Sequence, residues 1–316
     1  MDDPQPPHEP DVSVVIVNYN GGRYLPSCLK ALADVGSRDV EIIVVDNGST
    51  DGSLAVLAEA ERKGLRIIRT GQNLGFGRAN NLGTSAARGK HYLLLNTDCF
   101  LRPGALERLV SVLEKRLDVA IVGPRLLNAN GTLQPSCHNF PVPIVLFLEQ
   151  SLLWKLLGGI LLLRGLRGPL LIAGPHDRER AVDWLAGACL LVRAEAYWAA
   201  RGFDERFFFY WEETDLCLRL KRLGWDVLFE PGAAAVHLGG GSSADPDLLL
   251  HFFKSLYIFY RKHYNPGRLI TARLIIRLMS LVKAARAGSL WLSKENRRKA
   301  RRSKQEAASW LRIARL

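Results

Sequence analysis

The chain has 316 residues, of which 48% are hydrophobic and 23% charged, a composition that suits a folded protein and excludes wholesale disorder. Its formal net charge of +12 is unevenly distributed, because residues 255–316 hold 16 of the 43 Lys and Arg and only 2 of the 31 Asp and Glu. The body is therefore close to neutral, which disfavours a protein built to grip nucleic acid.

The five cysteines are scattered and contain no C-x-x-C pair, which disfavours a zinc module and a disulfide framework. We expect them to be small buried residues in a reducing, cytoplasmic setting. The acidic, proline-rich residues 1–10 do not resemble a secretory signal. The most apolar stretch, 144–173, is interrupted by four charged residues, so we expect no membrane span.

From residue 11 onward, short apolar strands alternate with helices. The predicted strands are Val12–Val17, Glu41–Val45, Arg66–Arg69, His91–Leu95, Ala120–Gly123, a strand-like segment within Asp183–Arg193, and Asp226–Glu230. The predicted helices are Tyr24–Val35, Ser53–Lys63, Phe76–Arg88, Pro103–Leu117, Glu195–Arg201, Thr214–Leu223 and the region 246–316. Residues 124–180 are predicted to be irregular, with a hydrophobic helical piece and a charged loop. Apolar strands spaced by helices indicate an α/β fold with a mostly parallel sheet covered on both faces.

Polar clusters follow three of these strands, at residues 18–22, 46–51 and 96–98. The carboxyl ends of parallel strands meet at one edge of a sheet, where α/β proteins bind ligands, so we expect one site there. Asp98 suits a hard divalent cation that offsets the charge of a diphosphate donor. Asp46 is placed to accept hydrogen bonds from a base or ribose. A turn or cap role for Asp98 and an Asx-turn for Asp46 are the alternatives.

Residues 207–215 read FFFYWEETD, with three carboxylates beside five aromatic rings. Apolar surroundings raise the proton affinity of a carboxylate, which suits a general base. An acidic first helical turn is the alternative, and it fits Asp215 best. His237 ends the last predicted strand, before a glycine-rich loop, where it would ligate a metal, contact a phosphate or serve only structure.

In their order and spacing, seven segments resemble the family 2 glycosyltransferases, inverting enzymes with the GT-A fold. The segments are VVIVNYNGG (14–22), VVDNGSTDGS (44–53), NLGFGRANNLG (73–83), LLLNTDC (93–99), WLAGACLLVR (184–193), GFDERFFFYWEETDLCLRLKRLGW (202–225) and VHLGGGS (236–242). The resemblance spans roughly residues 11–245. It implies a nucleotide-sugar donor and a divalent metal, Mg²⁺ or Mn²⁺.

The resemblance also implies roles for single residues. The donor-binding set is Val17, Asn18, Tyr19, Asp46, Asn47, Ser49, Asn73, Arg78, Asn81, Asn96 and Thr97, with Asp46 on the base and Asn73, Arg78 and Asn81 near the ribose or diphosphate. Asp98 takes the metal position of the family's D-x-D motif, with Asn96 in place of its first carboxylate, and His237 takes the later contact to metal or diphosphate. Trp184 and Gly187 shape the acceptor side. The catalytic base falls on Glu213, although Glu212-Glu213 replaces the usual Glu-Asp pair and leaves the choice between the two open.

Within the family, the likeness is to the rhamnosyltransferase-like branch. It implies a dTDP-sugar or UDP-sugar donor, dTDP-L-rhamnose above all, and a glycan or lipid-linked acceptor in bacterial cell-wall or polysaccharide synthesis. We expect a GT-A catalytic domain over 1–245, with a donor half (11–123) and an acceptor half (124–245), followed by a helical basic extension over 246–316.

The C-terminal extension has an interfacial amphipathic pattern. One side of a predicted helix carries Ile270, Leu274, Leu278, Leu281 and Val282, and the other side carries Arg268, Arg273, Arg277, Lys283 and Arg286. Ile276 and Met279 depart from this division. With the basic run Lys294–Lys304, the pattern predicts peripheral attachment to the anionic inner face of the cell membrane. A solvated helical extension packed on the body is the alternative.

Two rival functions follow from the same features. The basic tail would also suit a nucleic-acid-binding module, but that function leaves the carboxylates at the strand ends unexplained. Asn96 and Glu213 also fit a donor-binding scaffold without activity. The sequence leaves the oligomeric state open, a dimer included.

Overall fold

The computed structural model describes residues 9–33, 38–62, 64–143, 176–239, 246–292 and 297–316. The hydrophobic helical piece predicted within 144–173 and the domain boundary predicted after residue 245 lie outside the described residues. The chain divides into two compact units. The first contains the described residues of 1–138, 175–205 and 213–241, and the second those of 139–174, 206–212 and 242–316.

The first unit is built on a mixed sheet of ten strands within the described residues, and a separate pair forms a small second sheet. In chain order the strands are β1 (Val12–Asn18), β2 (Val40–Asp46), β3 (Arg66–Arg69), β4 (His91–Asn96), β5 (Cys99–Leu101), β6 (Val119–Leu127), β7 (Leu133–Gln134), β8 (Cys137–His138), β9 (Arg180–Ala181), β10 (Trp184–Leu185), β11 (Cys189–Arg193) and β12 (Asp226–His237). The main path runs β3-β2-β1-β4-β11-β6-β12-β5, and β8 pairs with β10.

Strand direction agrees with the predicted α/β class. The pairs β1–β2, β1–β4, β2–β3 and β6–β12 are parallel, whereas β11 runs antiparallel to both of its neighbours and β5 runs antiparallel to β12. Strand β1 contains four successive apolar residues, Val14 to Val17, of which Val17 is half-buried. A parallel sheet that is covered on both faces requires such an apolar run. The register of β1 sets Asn18 opposite Asp46 and Val17 opposite Asn96, so the polar clusters share one edge.

Helices in and next to the first unit are α1 (Leu25–Ala33), α2 (Ser53–Arg62), α3 (Phe76–Ser85), α4 (Ala105–Lys115), α5 (Ala194–Ala199) and α6 (Glu212–Arg222). In α4, Leu106, Leu109 and Leu113 recur at helical spacing and are fully buried. Gly83 of α3 lies so close to Val15 of β1 that a Cβ would clash, so a glycine is needed there.

Two helix starts differ from the predictions by two residues. Helix α4 begins at Ala105 rather than at Pro103, because Gly104 adopts a left-handed φ of 75° directly before it. Helix α6 begins at Glu212 rather than at Thr214, so the acidic pair and Asp215 all lie in or beside its first turn. An acidic first turn is favourable at a helix N-terminus, which adds a structural role to any catalytic one.

The second unit contains three helices within the described residues: α7 (Pro246–His263), α8 (Pro266–Leu292) and α9 (Arg297–Ala314). Its buried residues include Phe253, Leu256, Phe259 and Tyr260 of α7, Ala272, Ile276, Met279 and Ala284 of α8, and Trp310 and Ile313 of α9. Ile276 and Met279, which departed from the predicted division, thus belong to the interior. No helix in the described ranges is both long and apolar enough to cross a membrane.

The predicted apolar side of α8 is exposed to solvent. Its five residues are Ile270, Leu274, Leu278, Leu281 and Val282, which are 51–62% exposed. We call these five residues the α8 apolar face. Such a row of large apolar side chains exceeds the scattered exposure expected on a soluble surface and is typical of an interaction site.

Candidate active site

Asn18, Asp46 and Ser49 form a buried polar network at the ends of β1 and β2. The Asn18 amide Nδ2 donates to Ser49 Oγ at 2.9 Å and to Asp46 Oδ1 at 3.4 Å. The Ser49 backbone N–H donates to the same Asp46 oxygen at 3.3 Å. Asn18 Oδ1 is buried and has no hydrogen-bond partner among the described residues. The structure therefore brings three predicted donor-binding residues together and leaves one of them with unused acceptor capacity.

Asn47 and Asn73 tie the loop after β2 to the loop before α3. Asn47 Nδ2 donates to Asn73 Oδ1 at 3.0 Å, and Asn47 Oδ1 accepts the Leu74 backbone N–H at 2.9 Å. Gly48 between them has φ 80°, and a Cβ there would lie 2.6 Å from the carbonyl carbon of Gln72. Only glycine permits both the positive φ and the close approach to Gln72 at this position. The two loops are therefore held together as one wall of the site, which we call the braced wall.

Tyr19, Val17 and Thr97 surround the same strand ends. The Tyr19 side chain is 51% exposed, which leaves its ring accessible for stacking on a base. A Cβ on Gly21 would lie 2.5 Å from Asn18 Oδ1 and 2.9 Å from Thr97 Oγ1. The absence of a side chain at Gly21 therefore leaves room for the Asn18 amide of β1 and for the Thr97 hydroxyl, which follows β4.

Arg78 and Asn81, also predicted for the donor, face the segment 203–205. Asn81 Oδ1 accepts from Tyr197 OH at 2.7 Å and from the Phe203 N–H at 2.9 Å, and its Nδ2 donates to the Phe203 carbonyl at 2.9 Å. Arg78 forms an exposed ion pair with Glu205 at 3.4 Å. The hydrogen-bonding capacity of Asn81 is thus used within the protein, and a donor contact by either residue stays a prediction.

Asp98 and His237 meet at the edge where β5 pairs with β12. His237 Nε2 lies 3.3 Å from Asp98 Oδ1, and the two side chains are only 19% and 15% exposed. His237 Nδ1 lies 2.8 Å from Gln134 Oε1, an acceptor, so Nδ1 carries the proton. His237 Nε2 faces the carboxylate, where either a proton on Nε2 or a cation between the two atoms completes the contact.

This pair fits a divalent cation. A divalent cation that accepts one carboxylate oxygen and one imidazole nitrogen would be held by Asp98 Oδ1 and His237 Nε2, which lie 3.3 Å apart. In the described ranges, no group of three or more His, Cys, Asp or Glu could hold a metal. Asp98 and His237 would therefore hold the cation with ligands from the diphosphate and water, as is usual for Mg²⁺. Asn96 is half-buried at the end of β4, the position at which the sequence resemblance implies a first carboxylate.

Glu213 lies in the first turn of α6 and receives hydrogen bonds from the backbone N–H groups of Gly187, Thr214 and Glu213 itself. Burial, the larger effect, raises the pKa of Glu213 above its usual range, and those N–H groups oppose it. Glu213 Oε2 is buried and has no hydrogen-bond partner in the part of the chain that the structure describes. A carboxylate with one oriented oxygen, one unused oxygen and raised proton affinity has the properties of a general base.

Of the two acidic neighbours of Glu213, Asp215 is set apart by an ion pair, whereas Glu212 resembles Glu213 in having a buried Oε2 atom. Glu212 is buried and belongs to the second unit. Asp215 is fully buried and accepts from Arg219 Nε at 2.7 Å, while Arg219 also donates to the carbonyls of Ala200 and Gly202. The expectation that Asp215 is a structural first-turn residue agrees with this ion pair.

The backbone directly before Glu212 is strained. Tyr210 and Trp211 have φ of 67° and 70°, the left-handed region that residues other than glycine rarely occupy. Each such residue costs about 1–3 kcal/mol and persists only where the surroundings impose it. Strain of this kind clusters at functional sites, and no feature of the sequence indicates it.

Trp184, predicted for the acceptor side, stacks on His138, with ring centroids 4.2 Å apart and ring planes 18° apart. The two residues are paired in register between β10 and β8. Gly187 contacts Glu213, since a Cβ on Gly187 would lie 3.6 Å from Glu213 Oε1. Sequence reasoning missed His138 and the His237 partner Gln134, because each lies in a strand of two residues that carries no periodic signal.

Comparison with known proteins identifies the family. The sequence model of Glycosyl transferase family 2 matches residues 13–168. Over 271 residues the chain is 33% identical to N-acetylglucosaminyl-diphospho-decaprenol L-rhamnosyltransferase of Mycobacterium tuberculosis, an alignment that covers 80% of this chain and 84% of that protein. The chain is a family 2 glycosyltransferase. A shorter match, 32% identical over 137 residues, links this glycosyltransferase to chondroitin synthase of Escherichia coli and covers 42% of this chain and 20% of that protein.

Solved structures confirm the expected GT-A fold for this glycosyltransferase. GalNAc-T7 with UDP, GalNAc and Mn²⁺ superposes with a TM-score of 0.61 at 14% identity, covering 96% of this chain and 55% of that one. The mannosyltransferase PcManGT from Pyrobaculum calidifontis, in complex with GDP-Man and Mn²⁺, gives a TM-score of 0.54 at 15% identity, covering 99% of this chain and 88% of that one.

Proposed function

We propose that this glycosyltransferase moves L-rhamnose from dTDP-L-rhamnose to a hydroxyl of a lipid-linked saccharide in bacterial cell-wall polysaccharide synthesis. The identity to a mycobacterial L-rhamnosyltransferase over most of both chains supports this choice of donor and acceptor. The observation that carries the chemistry is Glu213, a half-buried residue whose carboxylate is oriented by Gly187 and whose buried Oε2 atom is unused.

The donor binds at the strand ends of the first unit. Tyr19, Asn18, Asp46 and Ser49 hold the base and ribose, and the wall braced by Asn47 and Asn73 keeps these groups in place. Asp98 and His237 hold a divalent cation, which when bound offsets negative charge on the diphosphate leaving group. Because two protein ligands replace the usual three, we expect a weak metal site that is completed by the donor.

The acceptor hydroxyl is activated by Glu213. Glu213 Oε2 takes its proton as the hydroxyl oxygen attacks the anomeric carbon on the face opposite the diphosphate, so the anomeric configuration inverts. The Gly187 N–H holds the other carboxylate oxygen, which fixes the direction of Oε2. Trp184, stacked on His138, offers an aromatic face to the acceptor sugar.

The experiment for the donor is a panel of nucleoside diphosphate sugars, each with Mg²⁺ or Mn²⁺, in which thermal shifts are measured first and transfer second. We expect the largest shift and the fastest transfer with dTDP-L-rhamnose. A larger response to another nucleotide sugar would reject the rhamnosyl assignment. Binding without transfer or hydrolysis for every donor would leave only the inactive donor-binding scaffold.

We also propose that α8 attaches the enzyme peripherally to the cytoplasmic, anionic face of the membrane. The α8 apolar face supplies the inserting side chains, and each flanking Lys or Arg near an anionic leaflet contributes about 1 kcal/mol. In a flotation assay with phosphatidylglycerol liposomes, the variant Leu274→Asp with Leu278→Asp should lose binding. The matched control is Leu117→Asp, which changes a residue 73% exposed in the first unit. Unchanged flotation of the α8 variant would remove this face from the account.

A further inference from the structure

The second unit contains a basic cavity of about 500 Å³ that the donor site and the base do not use. Within the described residues, four line it: Arg206, Ile258, Arg261 and Lys262. Three of the four are cationic at neutral pH, and no described lining residue is a carboxylate. A concentration of positive charge around one concave space is suited to an anionic ligand.

The cations are presented by fixed elements. Ile258, Arg261 and Lys262 are spaced i, i+3 and i+4 on α7, so they share one face of that helix. The other side of α7 is anchored, since Phe259 and Tyr260 are fully buried. The cavity therefore has a rigid helical wall with two of its three charges.

The third cation comes from a segment that is tied to the same helix. Phe207, next to Arg206, is fully buried, and the Lys262 ammonium lies 5.9 Å from the centre of its ring. Ser255 Oγ of α7 donates to the Phe209 carbonyl at 2.9 Å. These two contacts hold the start of the aromatic segment 207–211 against α7 and keep Arg206 at the cavity.

The chemistry of the lining points to phosphate groups joined to an apolar chain. Guanidinium groups bind phosphate oxygens in pairs of hydrogen bonds, and a lysine adds a compact charge. Ile258 supplies an apolar wall beside the three cations. The same unit carries the α8 apolar face, and Arg206 precedes the Glu212-Glu213 pair by only six residues in the chain.

We infer that Arg206, Arg261 and Lys262 form the subsite for the diphosphate of the lipid-linked acceptor, an inference that rests on the proposed function. The cations neutralise the diphosphate, while the isoprenoid chain leaves along Ile258. The volume lies within the range of ordinary ligand sites, about 300–1,000 Å³, and suits the diphosphate with the first part of its lipid.

The test combines kinetics and direct binding on the full chain. With a short-chain isoprenyl-diphosphate-linked saccharide as acceptor, Arg206→Gln with Arg261→Gln should raise the acceptor KM by about tenfold or more, because two charge-assisted contacts are lost, and leave the donor KM unchanged. Arg261→Lys should recover part of the loss in a single variant. Lys254→Gln, an exposed position on α7 outside the cavity, is the matched control and should match the wild type.

Farnesyl diphosphate is the binding probe, titrated calorimetrically in EDTA so that metal-dependent binding at the donor site is suppressed. The wild type should bind it and the double variant should not. An unchanged acceptor KM, or equal farnesyl diphosphate binding by both proteins, would overturn the inference. The inference would also be overturned if the double variant lost binding to phosphatidylglycerol liposomes but kept its acceptor KM, because the cavity would then bind phospholipid headgroups. A wild type without transfer activity would reject the proposed function, and the farnesyl diphosphate titration would still decide whether the cavity binds a diphosphate.

Discussion

Replacing Glu213 with glutamine removes the proposed base while keeping the shape of the side chain. The amide oxygen of glutamine can still accept the Gly187 N–H, so the local fold should persist. A positioned general base contributes about 10²–10⁴-fold, or roughly 3–5 kcal/mol of barrier at 1.36 kcal/mol per tenfold. We therefore expect kcat to fall by about 10³-fold while the donor KM changes by less than about twofold.

The assay is transfer to a short-chain lipid-linked acceptor, followed by mass spectrometry, with Glu212→Gln as the paired variant. If Glu213 is the base, Glu212→Gln should keep most of the activity. A Glu213→Gln enzyme within about tenfold of the wild type would refute the assignment. Loss of activity in Glu212→Gln alone would transfer the role to Glu212.

The raised pKa of Glu213 adds a pH dependence with a definite sign. The base must be ionised to accept a proton, so wild-type activity should fall with decreasing pH at a higher pH than an ordinary carboxyl group, whose pKa is 4.5, would give. A carboxyl group with a raised pKa in the folded state stabilises the protein at low pH, and that stabilisation is lost as pH rises through the folded pKa. Glu213→Gln removes this loss, so urea unfolding at pH 8 should show the variant more stable than the wild type. A less stable variant at pH 8 would contradict the burial argument.

Three further predictions concern the donor end. Asp98→Asn or His237→Gln should raise the Mn²⁺ concentration for half-maximal activity by about tenfold or more, measured by metal titration. An unchanged titration would contradict the assignment of Asp98 and His237 as metal ligands. Gly48→Ala should lower the free energy of unfolding by about 2 kcal/mol, because alanine must adopt φ 80° against the backbone of Gln72. Urea unfolding measures this difference. An unchanged free energy of unfolding would be evidence against the proposed bracing of the two loops. Asn81→Ala should lower the free energy of unfolding by about 2–3 kcal/mol and leave the donor KM unchanged. A variant with unchanged stability and a raised donor KM would instead show that Asn81 binds the donor.

Much of the donor half could be predicted from the sequence because its signals are local. A mostly apolar run such as Val12–Asn18, followed by residues that favour a turn, predicts a strand. Parallel pairing of such strands then brings the polar residues at their carboxyl ends together at one edge of the sheet. The burial of Ile276 and Met279 could not be predicted in the same way, since it depends on how α8 packs within the helical unit. A periodic pattern predicts that a helix has two faces but not which of them the tertiary structure covers.

The parts of the site that escaped prediction depend on contacts between distant residues. Gln134 contacts His237 Nδ1 across 103 positions of the chain, from a strand of two residues. The left-handed backbone at Tyr210 and Trp211 is imposed by the surroundings, because neither residue favours that conformation. The start of α6 at Glu212 likewise places the acidic pair inside the helix rather than before it.

The most direct test of the account is the product formed from dTDP-L-rhamnose and a short-chain GlcNAc-diphosphate-lipid acceptor in the presence of Mg²⁺ or Mn²⁺. The account predicts an acceptor larger by one deoxyhexose, whose anomeric configuration, read by NMR, is opposite to that of the donor. A product with the donor's configuration would contradict the single displacement driven by Glu213. No product from any nucleotide sugar and lipid-linked acceptor, with the folded enzyme and metal present, would contradict the proposed function itself.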